Sequence, residues 1–162
     1  MEQMERWTPA MAWDRMTAYC AYQERSHHQV RQKLADHGVF GADAELIIVR
    51  LIEENYLNES RFAIQYAGGH FRMKQWGRQK IKYGLQQHRV SPGCIKEALA
   101  SIEEDAYQAV FEKLADYRWK QVARNPPALR WAKTRQYLLQ KGFEATLVQQ
   151  WLQRQAKSSG IY

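Results

Sequence analysis

IKYGLQQHRV, running from Ile81 to Val90, occurs in three versions in this chain. VRQKLADHGV (Val30 to Val39) precedes it by 51 residues and TRQYLLQKGF (Thr134 to Phe143) follows it by 53, and the three superimpose without a gap. Leu34, Leu85 and Leu138 coincide, as do Val39, Val90 and Phe143. A repeat period of about 50 residues marks tandem units, each too small to bury its apolar face well without its neighbour. Inside the central copy Ile81, Leu85 and His88 recur at helical spacing, and period-two alternation never persists long enough to make a strand. The expected fold is all-α: three tandem three-helix repeats, over residues 1–57, 58–104 and 105–162, forming an elongated, curved helical array.

Caps set the expected helix boundaries. Thr8-Pro9 is an N-cap followed by proline at the first helical position, opening a helix toward Glu24 through Trp13, Met16 and Cys20. Ser26 caps the second helix, whose Val30 and Leu34 share a face and which stops at Gly38. Asp43 is the expected cap of the third, with Ile48, Leu51 and Ile52 inward and Asn55 as its left-handed terminator. Asn58-Glu59 starts the fourth, lined inside by Phe62, Ala63, Tyr66 and Ala67. The fifth begins near Gly77, and Ser91-Pro92 opens the sixth, which puts Ile95, Leu99 and Ile102 on one face. A seventh runs from Glu104 toward Ala123 and is separated by Asn125-Pro126-Pro127 from an eighth ending at Gly142; the ninth carries Val148, Trp151 and Leu152.

With 45% hydrophobic and 12% aromatic residues and no low-complexity tract, the 162-residue chain is expected to fold throughout. Net charge is +7, but residues 1–60 hold 6 Lys/Arg against 10 Asp/Glu, whereas residues 61–162 hold 18 against 7. An acidic end and a basic remainder suit nucleic acid, an acidic partner, or both. The basic helices lack the strongly apolar opposite face that a membrane surface requires. Cys20 and Cys94 lie far apart, and the five histidines show no paired-helix spacing, so no disulfide, metal or cofactor is expected. No triad order, phosphate-binding glycine loop or coupled carboxylate pair in the basic zone points to an enzyme. MEQMERWTPAM carries acids where a secretory signal needs cations, and the longest aliphatic run is Leu46 to Val49; a cytoplasmic protein is expected.

Between Gly69 and Lys96 there is no Asp or Glu, while Arg72, Lys74, Arg78, Lys80, Lys82, Arg89 and Lys96 supply seven positive charges. A merely solvated helix would use i, i+4 ion pairs, which this interval forgoes. On a wheel of about 100° per residue, Arg78, Lys82 and Arg89 form one ridge. Arg130, Lys133, Tyr137 and Lys141 share a side of the eighth helix, with Trp131 and Leu138 on another. Arg72, Lys74, Arg78, Lys80, Lys82, Arg89, Arg130, Lys133, Tyr137 and Lys141 are candidate nucleic-acid or filament contacts, and as surface positions Arg78, Lys82 and Arg89 are expected to tolerate charge reversal without loss of folding. Trp76 and Tyr83 are candidates for stacking on bases, with burial beside Gly77 as the competing role for Trp76.

Taken in order, ERSHHQVRQKLADHGV, NYLNESRFAIQY, WGRQKIKYGL, IKEAL, RQYLLQKGF and VQQWL resemble the RecX family of bacterial RecA regulators over nearly the whole chain. Where family members typically have Gly-Tyr-Leu-Asp, this chain has Asn55-Tyr56-Leu57-Asn58, followed by Arg61-Phe62-Ala63. Asn tolerates left-handed geometry and caps helices about as well as Asp, so the departures are mild. The resemblance implies a monomeric, non-enzymatic modulator of recombination and repair. It would lie in the groove of the RecA filament on single-stranded DNA, inhibit strand exchange and ATP hydrolysis, and extend its DNA contacts to duplex. In that setting Glu45, Glu53, Glu54 and Glu59 either meet a basic RecA surface or are solvated. The competing class is a helical protein that binds duplex or single-stranded DNA directly, without RecA.

Overall fold

A computed structural model of the chain describes residues 4–158 and 160. Among these residues the regular elements are helices: α1 (Pro9–Tyr22), α2 (His27–Asp36), α3 (Gly41–Glu53), α4 (Glu59–Lys74), α5 (Arg78–Gln87), α6 (Pro92–Ala100), α7 (Glu104–Gln121), α8 (Pro127–Gln140) and α9 (Ala145–Ser158). They gather into two compact units, Met1–Tyr66 with Leu85–Ala98, and Ala67–Gly84 with Leu99–Tyr162, so that α4, α5 and the end of α6 are divided between them.

The starts of α1, α2 and α4 arise where short polar side chains replace missing helix bonds. Thr8 Oγ1 accepts from the Met11 amide at 3.2 Å ahead of Pro9. Ser26 forms a full capping box: its hydroxyl accepts from the Gln29 amide at 3.0 Å, and Gln29 Oε1 accepts from the Ser26 amide at 2.9 Å. Asn58 Oδ1 accepts from the Arg61 amide at 2.8 Å. The chain reverses through left-handed residues at Gly38 (φ 77°), Asn55 (φ 64°) and Gly142 (φ 98°). Arg61 secures the second of these, with Nη1 on Asn55 Oδ1 at 3.0 Å, Nη2 on the Asn55 carbonyl at 3.2 Å, and Nε on Glu24 at 2.6 Å.

Helix α3 departs from expectation. It starts at Gly41 behind Phe40, which makes no side-chain cap, so Asp43 lies inside the first turn and acts through its charge on the helix dipole. Ile52 points outward at 42% exposure; Ala44, Ile47, Ile48 and Leu51 supply the buried face. The first unit's core joins these to Met16, Val30, Leu34 and Leu57, all essentially without solvent contact. Within the same unit His88 lies past the end of α5, half-buried, edge-on to Phe62 and Tyr66 (5.2 and 5.5 Å) and 3.3 Å from the Ser26 hydroxyl through Nδ1. It therefore belongs to a polar-aromatic contact at the core's margin, not to the apolar stripe of Ile81 and Leu85.

The second unit is built on aromatic contacts. Tyr107, wholly buried, packs against Phe71 (5.8 Å) and Phe143 (5.5 Å), Phe143 meets Phe111 edge-on at 5.2 Å, and Trp119 meets Trp151 at 6.0 Å. Two turns of this unit touch backbone to backbone: the Gly77 amide donates to the Lys141 carbonyl at 2.8 Å, and the Gln79 amide to the Gly142 carbonyl at 2.9 Å.

Candidate nucleic-acid and filament interface

The basic stretch after Gly69 does not present its cations uniformly. Arg72, Lys74 and Lys82 are exposed and Lys80 is half-buried. Gln75 takes φ 56° at the end of α4 and turns the chain so that Trp76 falls between two ammonium groups, Lys74 Nζ at 5.2 Å and Lys80 Nζ at 4.7 Å from its ring centre. His70 lies against the same ring at 4.6 Å, and Lys141 reaches across to donate from Nζ to the Lys74 carbonyl at 3.0 Å. Among the described residues Lys74, Lys80 and Lys141 form no ion pair. Two ammonium groups beside one indole, and a third on the Lys74 carbonyl, without a carboxylate to neutralise them, make a site that favours a phosphate. Trp76 thus holds cations in place; Tyr83, 63% exposed, is the ring left open to stack.

Arg78 differs from the rest. Its side chain is only 21% exposed, bound to Glu104 at 2.5 Å and Glu144 at 3.3 Å, and lies 3.8 Å over the Tyr107 ring. The Tyr107 hydroxyl donates to Glu144 and accepts from the Arg78 amide at 3.1 Å. Burial, then the bond to Glu144, holds this phenol well above its ordinary pKa, so it stays a donor. Arg78 is neutralised and structural, which corrects the expectation that its charge is freely reversible. The expected ridge is also interrupted at Arg89, which lies beyond α5 in the other unit, so helical spacing does not carry it.

Arg89 adopts φ 56°. In the repeat alignment it stands where the other two copies have Gly38 and Gly142, both left-handed. A side chain there costs about 1 kcal/mol that glycine avoids. Arg89→Gly is accordingly expected to raise stability by roughly 0.5–1 kcal/mol while weakening anion binding, a trade visible as a higher urea midpoint alongside a reduced affinity for DNA.

The row on α8 flanks the core instead of facing outward, because Thr134 and Leu138 are the fully buried positions and Arg130 lies about 40° from Thr134 on the wheel. Arg130 Nε donates to the Trp119 carbonyl at 3.0 Å and its guanidinium stacks 3.8 Å over that indole. Lys133 Nζ donates to Asn125 Oδ1 at 3.1 Å, and Tyr137 faces Arg118 at 5.5 Å, its phenol raised chiefly by burial. These four side chains are half-buried, while Arg135, Lys120 and Arg124 of the same unit are exposed and do not stand out by their spacing. Among the described residues no cluster of His, Cys, Asp or Glu is arranged to hold a metal ion, and no helix is long and apolar enough to cross a membrane.

Comparison with known proteins gives this geometry a family. The regulatory protein RecX of Clostridium tetani is 29% identical over 121 residues, 74% of this chain and 55% of that protein. The regulatory protein RecX of Prosthecochloris aestuarii is 27% identical over 143 residues, covering 87% of this chain and 91% of its own. The chain spans about half the length of the first curated relatives it matches, between 33% and 58%. Two crystal structures share the fold: a regulatory protein RecX with TM-score 0.80 at 23% identity, over 90% of this chain and 71% of that one, and RecX from Lactobacillus salivarius with TM-score 0.81 at 20% identity, over 90% and 95%. Residues 58–99 match the family model of the second three-helix domain of RecX, and residues 105–152 that of the third. With more than half of its length matched by two such domains in their proper order, the chain belongs to the RecX family of regulatory proteins.

Proposed function

We propose that this protein regulates RecA-mediated homologous recombination and repair by binding the RecA filament on single-stranded DNA, lowering strand exchange and ATP hydrolysis without chemistry of its own. The observation that carries the reading is the ordered pair of RecX three-helix domains in residues 58–152. In this reading residues 1–57 form a first repeat ahead of them, with 58–104 and 105–162 as the second and third. The unneutralised Lys74 and Lys80 beside Trp76 and Lys141 on the Lys74 carbonyl, with exposed Arg72, Lys82 and Tyr83, supply phosphate and base contacts. The test is ATP hydrolysis by RecA on single-stranded DNA with substoichiometric amounts of this protein. Inhibition supports the proposal; undiminished hydrolysis together with tight RecA-free duplex binding overturns it in favour of a plain DNA-binding protein.

Lys74→Glu combined with Lys82→Glu is expected to leave the fold intact, both side chains being exposed, and to weaken filament or DNA binding across sequences. The slope of log affinity against log salt should fall by about one unit for each phosphate no longer neutralised. A salt titration with an unchanged slope would remove these lysines from the interface.

A further inference from the structure

The acid count of residues 1–60 conceals a basic and aromatic face. Arg15, Tyr19 and Tyr22 are spaced i, i+4, i+7 and so line one side of α1. Arg25, in the link to α2, lays its guanidinium 3.7 Å over the Tyr19 ring and 5.9 Å from that of Tyr22, held by an Nε bond to the Tyr19 carbonyl at 3.0 Å. Lys33 of α2 brings its ammonium within 5.9 Å of Tyr19. Trp7 lines the same cleft, stacked flat on His37 with ring centres 3.7 Å apart, and His37 Nδ1 donates to the Glu5 carbonyl at 2.7 Å. Glu5 also lines this cleft, yet among the described residues Arg15, Arg25 and Lys33 form no ion pair. Tyr22, at 82% exposure, holds a whole ring in water.

We propose that this cleft binds single-stranded nucleic acid, with an unpaired base stacked on Tyr22 and the adjoining phosphates held by Arg15, Arg25 and Lys33. Alternating rings and cations match the alternation of base and phosphate along an unpaired strand. A duplex hides its base faces, and a run of acidic residues offers carboxylates but no regular series of aromatic rings for the exposed tyrosine. The Arg25–Tyr19 stack is ordered before any ligand arrives, so little side-chain freedom is lost when one binds.

The test uses the full chain and a fluorescein-labelled oligothymidylate, without RecA. Tyr22→Ala is expected to weaken binding by about 5- to 100-fold, Tyr22→Phe to preserve it, and Lys33→Glu to lower the salt slope by about one. Both positions are exposed, and an unchanged circular dichroism spectrum shows that the fold survives. Oligothymidylate affinity unaltered in Tyr22→Ala and Lys33→Glu overturns the proposal. If those variants bind the oligonucleotide normally but lose inhibition of RecA, the cleft meets protein and the nucleic-acid assignment is wrong, while the filament reading stands. If binding falls and inhibition persists, the cleft is a nucleic-acid site separate from that activity.

Discussion

Gly77→Ala is expected to lower stability by about 3 to 5 kcal/mol, enough to move the thermal midpoint down by roughly 10 °C. Gly77 is not required for its own backbone angles; it is required for proximity. A methyl at that position would fall on the carbonyl carbon and oxygen of Gly142 and on the Phe143 amide, all backbone atoms that no rotamer can move aside. Relief means separating the turns, which breaks the bonds from Gly77 to Lys141 and from Gln79 to Gly142 and displaces Phe143 from between Tyr107 and Phe111. Gly69→Ala is the matched control. It lies within α4 with open space around the added carbon, and should stabilise by about 0.5 to 1 kcal/mol through helix propensity alone. Urea titrations of the two variants moving in the same direction would refute the proximity argument.

Arg78→Glu should cost about 2 to 4 kcal/mol, the second largest effect. The guanidinium satisfies Glu144 and Glu104 and covers Tyr107, and reversal leaves three carboxylates together beside a buried ring. The cost stays below that of an orphaned, fully buried charge because Glu104 is largely exposed and screened. A double-mutant cycle isolates the interaction: Arg78→Ala with Glu144→Gln should lose less than the sum of the single losses, because each single change strands a partner that the pair does not. Additive losses would mean that the ion pair contributes nothing. Lys82→Glu, one turn along on an exposed side chain, should change stability by less than about 0.5 kcal/mol.

What the sequence made legible was local. Thr8, Ser26 and Asn58 cap helices because a side-chain oxygen can reach an amide three residues on, and Gly38, Asn55 and Gly142 turn the chain because they tolerate positive φ. Pairings that span long stretches of chain were not legible. Nothing near Arg78 in the sequence announces Glu104 or Glu144, so a structural arginine looked like a surface one. The same limit misplaced the α8 row: Arg130 and Lys133 read as outward until Trp119 and Asn125 of the preceding segment are brought beside them. Charge totals misled in the first sixty residues, because averaging over acids and bases erased the Arg15–Arg25–Lys33 face. Arg89 was readable in principle: its alignment with two terminating glycines marks a left-handed position, a signal carried by the repeat and not by the residue type.

The backbone bonds that join the turn before α5 to the turn after α8 bear on biosynthesis. While the chain leaves the ribosome, the amides of Gly77 and Gln79 have no carbonyl to meet until α8 has been made, and Tyr107 must wait equally long for Phe143. The middle of the protein thus emerges before its native partners exist, and a truncated product ending ahead of Gly142 would present an unsealed aromatic core to chaperones and proteases.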